Sequence, residues 1–98
     1  MVEAENQPVE IEEVLGNRLR LKILRILSQL KELNVSEIAR KSGASYRIVK
    51  EHLKILEEAG ILQHKKFGRI HLYRLDENSI KARAVKALVD AWETIEKR

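Results

Sequence analysis

Tyr46, Arg47, Lys50 and Lys54 recur at helical spacing between two glycines, Gly43 and Gly60. On a helical wheel they fall, with Glu57, within an arc of about 100° opposite Val49, Leu53 and Leu56. Such a face suits a polyanion. Arg47 can donate two hydrogen bonds to a guanine edge, Tyr46 can contact a base or a phosphate, and Lys50 and Lys54 suit phosphate neutralisation. Arg47 and Lys50 lead. A second basic group, Lys65, Lys66 and Arg69, surrounds Gly68. There an arginine can enter a minor groove while the lysines follow a phosphate strand. The alternative for both groups is an ordinary solvated surface, and their position in the fold must decide.

Other chemistry finds less support. The chain has no cysteine, which excludes disulfides, cysteine zinc sites and thiol chemistry. Of its three histidines, His52 falls on the buried side of the basic helix, where a packed, hydrogen-bonded role is expected. His64 and His71 become diagonal neighbours if Gly68-Arg69 is a turn that pairs Lys66 with His71 and His64 with Tyr73. Two imidazoles alone bind zinc weakly, so contact with solvent or phosphate is the preferred reading. Asp90, Glu93 and Glu96 form a row at helical spacing that is more simply a solvated face than a metal site. No glycine-rich phosphate loop, His-Glu metal motif or Ser-His-acid set is present, so neither an enzyme nor a cofactor is expected.

The charge distribution agrees with a nucleic-acid partner. Residues 1–14 hold five of the fifteen acids and no Lys or Arg, leaving nineteen basic residues against ten acids in the remainder. Residues 40–74 alone carry nine Lys or Arg against three Glu. The acidic start has no apolar run of signal-peptide or membrane length, so a cytoplasmic protein without a membrane partner is expected.

These groups need elements to hold them. With 98 residues there is room for one core, so we expect an acidic flexible tail over 1–10 and one domain over 11–98. A long helix is expected from about Glu12 to Leu30, with Leu19, Ile23, Ile26, Leu27 and Leu30 on one face. Leu15, Leu21 and Leu24 fall outside that stripe, which makes the apolar arc wider than a small monomer requires. Asn34 and Glu37 form a capping-box pattern that starts a short helix ending at Gly43. Ser45 then caps a third helix through Ala59, and two helices joined by a short glycine turn make a helix-turn-helix. Ile61–Phe67 and Ile70–Leu75 alternate as strands around Gly68-Arg69, a type II′ hairpin pattern. A short strand near Asn34 could complete that sheet. A last helix from Ser79 to about Lys97, capped by Asp76 or Asn78, aligns Ile80, Ala84, Leu88, Trp92 and Ile95, with Val85 and Val89 beside them.

Over roughly Leu15 to Leu75 the sequence resembles the ArsR-type (SmtB/ArsR) winged helix repressors. The stretch 32–38, ELNVSEI, is similar to the start of the family's metal-sensing helix. SYRIVKEHLKILEEAGIL (45–62) resembles its recognition helix and following strand, and GRIHLYRL (68–75) its wing. The resemblance implies a homodimer formed through the first and last helices, operator binding, and release of DNA when an inducer binds. The family's two cysteines flanking the valine are replaced by Asn34 and Ser36, poor ligands for soft metals. The last helix also lacks the family's histidine, so no metal is expected and an inducer stays unidentified.

The expected fold is therefore mainly α with a small β-hairpin wing, a dimeric winged helix-turn-helix in the order α-α-α-β-β-α. The expected function is a DNA-binding transcription regulator, with a recognition helix at about 45–59 in the major groove and a wing at 61–75. Ser45, Tyr46, Arg47, Lys50, Lys54, Lys65, Lys66 and Arg69 are its candidate DNA contacts. Leu15, Leu21, Val85, Leu88, Trp92 and Ile95 are the candidate dimer interface. A non-specific chromatin-type DNA binder and a winged-helix protein-interaction module are the alternatives.

Overall fold

The computed structural model describes residues 9–97. The first eight residues of the expected acidic tail lie outside the described residues. Of the tail's last two, both exposed, Glu10 forms a capping box with Glu13 and so opens the first helix.

That first helix, α1 (Ile11–Leu15), is separate from α2 (Arg18–Gln29), which corrects the single helix expected over this stretch. Asn17 causes the break. Its backbone is extended and its side chain accepts a hydrogen bond from the Arg20 amide at 3.0 Å, so it caps a new helix and cannot continue the old one. Gly16 permits the sharp exit, since a Cβ there would lie 2.3 Å from the Glu12 carbonyl oxygen. Apolar periodicity runs through both residues and conceals the stop.

After α2 the chain forms β1 (Leu33–Asn34), α3 (Val35–Ser42) and α4 (Tyr46–Glu58). The reciprocal Asn34–Glu37 capping box is present: Asn34 accepts from the Glu37 amide at 2.8 Å and Glu37 accepts from the Asn34 amide at 2.9 Å. Gly43 ends α3 at φ +77°, the left-handed conformation that favours glycine. Ser45 caps α4 by accepting from the Ile48 amide at 3.2 Å. The hairpin β2 (Leu62–Phe67) and β3 (Ile70–Leu75) has the expected register, His64 opposite Tyr73 and Lys66 opposite His71. β1 pairs with β3, giving the antiparallel order β1-β3-β2.

The last helix, α5 (Ile80–Glu96), is capped by Ser79, whose side chain accepts from the Ala82 amide at 3.1 Å. This corrects the assignment of Asp76 or Asn78: Asp76 instead accepts from the Asn78 amide and shapes the turn before the helix.

Ile23, Leu24, Ile38, Leu53 and Leu56 are fully buried. Each contributes about 1.5–3 kcal/mol by leaving water. α2 lies at the centre, packed by α1, α3, α4, α5 and β3. That enclosure explains why Leu24, expected to lie outside the apolar stripe, belongs to the core. The chain is thus a winged helix-turn-helix with one helix more than the sequence suggested, and β1 is the short strand expected near Asn34.

Candidate nucleic-acid interface

α4 presents Tyr46, Arg47, Lys50 and Lys54 to solvent, because Val49, Leu53 and Leu56 hold its other side in the core. Arg47 pairs with Glu51, one turn along, at 3.3 Å. Both side chains are exposed, so the pair is weak and the guanidinium can be redirected at little cost. Ser45, counted among the contacts, uses its hydroxyl oxygen as the helix-cap acceptor, and its O–H can still donate to a phosphate.

The wing brings Arg69 to the same region. Tyr46 of α4 and Arg69 of the wing tip line one groove with Asn34, Ser36 and His71. Lys50 and Lys54 line another with Glu57, His64 and Tyr73. Gly68 has φ +59° and Arg69 does not enter the left-handed region, which fits the II′ pattern and leaves Arg69 at the tip. Lys65 and Lys66 are exposed on β2, with the Lys65 ammonium 3.9 Å from Glu32. Phe67 and Ile70 flank the turn in solvent. Sequence reasoning passed over their exposure because their type reads equally well as strand filling.

The histidines separate into two settings. His64 stacks on Tyr73, with ring centroids 4.3 Å apart, and its Nε2 lies 2.7 Å from His71 Nδ1. Glu57 sits 3.4 Å from His64 Nδ1. The carboxylate favours a proton on that nitrogen, so His64 Nε2 accepts and His71 Nδ1–H donates. Desolvation, then His64, Lys50 and Lys66, lowers the His71 pKa from its ordinary value. Burial raises that of Tyr73 and keeps the phenol protonated.

His52 is held from within. Arg20 donates from Nε to the Val14 carbonyl at 2.8 Å and from Nη2 to the Glu13 carbonyl at 3.0 Å. Its Nη1 lies 2.9 Å from His52 Nδ1. An arginine cannot accept, so Nδ1 carries the lone pair and the ring proton sits on Nε2. Desolvation, then the Arg20 charge, holds the His52 pKa below its ordinary value, opposed by Glu51. Arg20 had no local signal in the sequence, because its partner stands 32 positions away.

Among the described residues, no group of three or more His, Asp or Glu is arranged to hold a metal. Asn34, at one position of the family's cysteines, is committed to the α3 cap.

The candidate dimer residues divide. Leu21, Leu88 and Trp92 line an apolar groove between α2 and α5 with Arg25, Val89 and Glu93. Trp92 is 63% exposed, Leu88 57% and Ile95 61%. Val85 is corrected: it packs into the chain's own core beside Ala82 and is not available to that open face. Leu15 is half-buried against the same core.

The fold and these surfaces define a class, the winged helix-turn-helix regulators. Residues 17–64 match the family described as bacterial regulatory protein, arsR family. The chain is 34% identical over 85 residues to the arsenical resistance operon repressor of Escherichia coli K12, covering 87% of this chain and 72% of that protein. Among solved structures, the transcriptional repressor BigR of Xylella fastidiosa superposes with a TM-score of 0.72 at 26% identity, over 85% of this chain and 79% of that one. A homodimeric winged helix-turn-helix DNA-binding domain from Mycobacterium bovis gives 0.68 at 27% identity, over 84% and 73%. The chain belongs to the arsR family and is a DNA-binding transcription regulator. Among the described residues, no helix is long and apolar enough to cross a membrane.

Proposed function

We propose that the protein is a repressor without enzymatic activity that reads a pseudo-palindromic operator as a homodimer. In this reading α4 enters the major groove, and the wing lies on the flanking minor groove or phosphates. The observation that carries it is the convergence of two basic groups from separate elements, Tyr46 with Arg69 in one groove and Lys50 with Lys54 beside the wing in another. Arg47 would read a base edge, and Lys50, Lys54, Lys65 and Lys66 would neutralise phosphates. Ser45 would contribute the exposed start of the helix, and Phe67 and Ile70 would lie against sugar edges beside Arg69.

Dimerisation rests on a different pair of elements. Leu88, Trp92 and Ile95 stand in solvent on one terminal helix, and a two-fold contact through them and Leu21 would cover this apolar surface. The Mycobacterium bovis relative is described as homodimeric, which supports the same assembly here. Half-sites would then lie roughly one helical turn, about 34 Å, apart.

The test is an anisotropy titration of a duplex taken from upstream of the protein's own coding sequence against a shuffled duplex, with Arg47→Ala alongside. We expect a preference of about a thousandfold for the upstream duplex. Arg47→Ala should remove about 1–3 kcal/mol of that preference. Equal, steeply salt-dependent binding of both would indicate a non-specific binder, and absence of binding at low salt an interaction module.

A further inference from the structure

We propose that Arg20 is a positioning residue for DNA recognition, pinning the recognition helix α4, through His52, to the C-terminal end of α1. This rests on the reading that α4 contacts DNA. Three donors of one guanidinium are engaged at once: two on the last carbonyls of α1 and one on the α4 imidazole. The Arg20 backbone is itself fixed, because its amide is the one that Asn17 caps. The guanidinium therefore leaves a defined point on α2 and meets two other helices, and its planar fork makes that meeting directional.

The location matters. His52 lies on α4 between Arg47 and Glu57, on the turn that follows Lys50, and it faces the inside of the domain. A shift of α1 that drags the guanidinium is transmitted to this turn and changes the angle at which Arg47 and Lys50 leave the protein. Affinity for phosphate in general tolerates such a tilt; base-edge reading, which needs two aligned hydrogen bonds, does not. The consequence is a device that acts on discrimination more than on affinity.

The bond also requires a neutral His52. A proton on Nδ1 removes the lone pair that Arg20 uses and places two cations together. The charged groups acting on the ring are Arg20 from α2 and Glu51 from α4, while α1 contributes the carbonyls that Arg20 engages. Protonation therefore opens the link, and His52→Asn, whose Oδ1 can replace Nδ1 as acceptor, keeps it closed at every pH.

Two measurements test this. In the first, the full chain is titrated with upstream and shuffled duplexes from pH 8 to pH 5 at fixed ionic strength. We expect the wild-type preference to fall about tenfold across this range, the scale of one hydrogen bond to a charged group. Arg20→Met should show the reduced preference throughout and His52→Asn a flat, undiminished one. In the second, amide exchange is compared at matched pH for wild type and the two variants. We expect Arg20→Met to lose protection at Val14, Leu15 and Gly16, and wild type to lose it relative to His52→Asn as the pH falls. Circular dichroism identifies any unfolded variant; Arg20→Lys, which keeps the charge but loses the planar fork, then replaces Arg20→Met. If the wild-type and His52→Asn profiles coincide in both measurements, the proposal is wrong. Should folded wild type bind neither duplex, the DNA reading fails by itself, while the exchange comparison still decides whether His52 protonation opens the link.

Discussion

His71 donates from Nδ1 to His64 Nε2 across the two wing strands at 2.7 Å, and Glu57 of the recognition helix holds the far side of the His64 ring. A further proton on His71 enters at Nε2, where desolvation, then His64, Lys50 and Lys66, oppose the positive charge. Because folding lowers the His71 pKa, the unfolded chain binds more protons, and the stabilisation is complete above the unfolded value of about 6.5 and lost as pH falls through the folded one. We expect the urea midpoint of the wild type to decline from pH 7 to pH 5, and His71→Gln to lessen that decline, the remainder including the contribution of His52. An unchanged slope in His71→Gln would remove the wing pair from the account.

Lys50 and Arg47 should behave differently although they stand one turn apart. Lys50→Ala is expected to weaken upstream and shuffled duplexes alike and to reduce the salt slope by about 1. Arg47→Ala should act mainly on the upstream duplex. Anisotropy at two salt concentrations separates them, and identical effects would mean that neither reads a base.

Trp92→Glu and Leu88→Glu place charge on an already exposed part of α5. We expect both variants to keep the wild-type circular dichroism while sedimenting as single chains at micromolar concentration. Their upstream affinity should fall with the loss of the second half-site contact. Dimers that survive both substitutions would place the interface elsewhere.

The break between α1 and α2 should be sensitive to one methyl group. Gly16→Ala puts a Cβ against the Glu12 carbonyl and should cost about 1–3 kcal/mol through overpacking. Asn17→Ala removes the cap and should cost about 1 kcal/mol. Denaturant titration measures both, and a neutral Gly16→Ala would show that the backbone can relax there.

What could be read directly from the residues was what residues decide locally. The Asn34–Glu37 box, the stop at Gly43, the Ser45 cap and the hairpin about Gly68 each depend on a few adjacent side chains. Asn17 was hidden because apolar spacing continues across it, and Ser79 because two other capping residues stand just before it. Leu24 and Val85 were misplaced for a tertiary reason: α2 is enclosed by neighbours on several sides, so burial exceeds what one amphipathic stripe implies. Within the candidate interface, the exposure of the basic face of α4 followed from type and spacing. The Arg20–His52 contact and the Glu57–His64–His71 chain arise only when distant segments meet.

Asn34 has two duties: it sits opposite Leu72 in the sheet, and its side chain caps α3. Changing the angle between hairpin and helix pair therefore means opening a strand pairing and a capping box together. The hairpin tip and the recognition helix consequently move as a calliper of fixed gauge. In the proposed DNA reading, a site whose groove widths differ from that gauge would have to deform to meet the protein, which would add the stiffness of the DNA to the features by which sites are told apart.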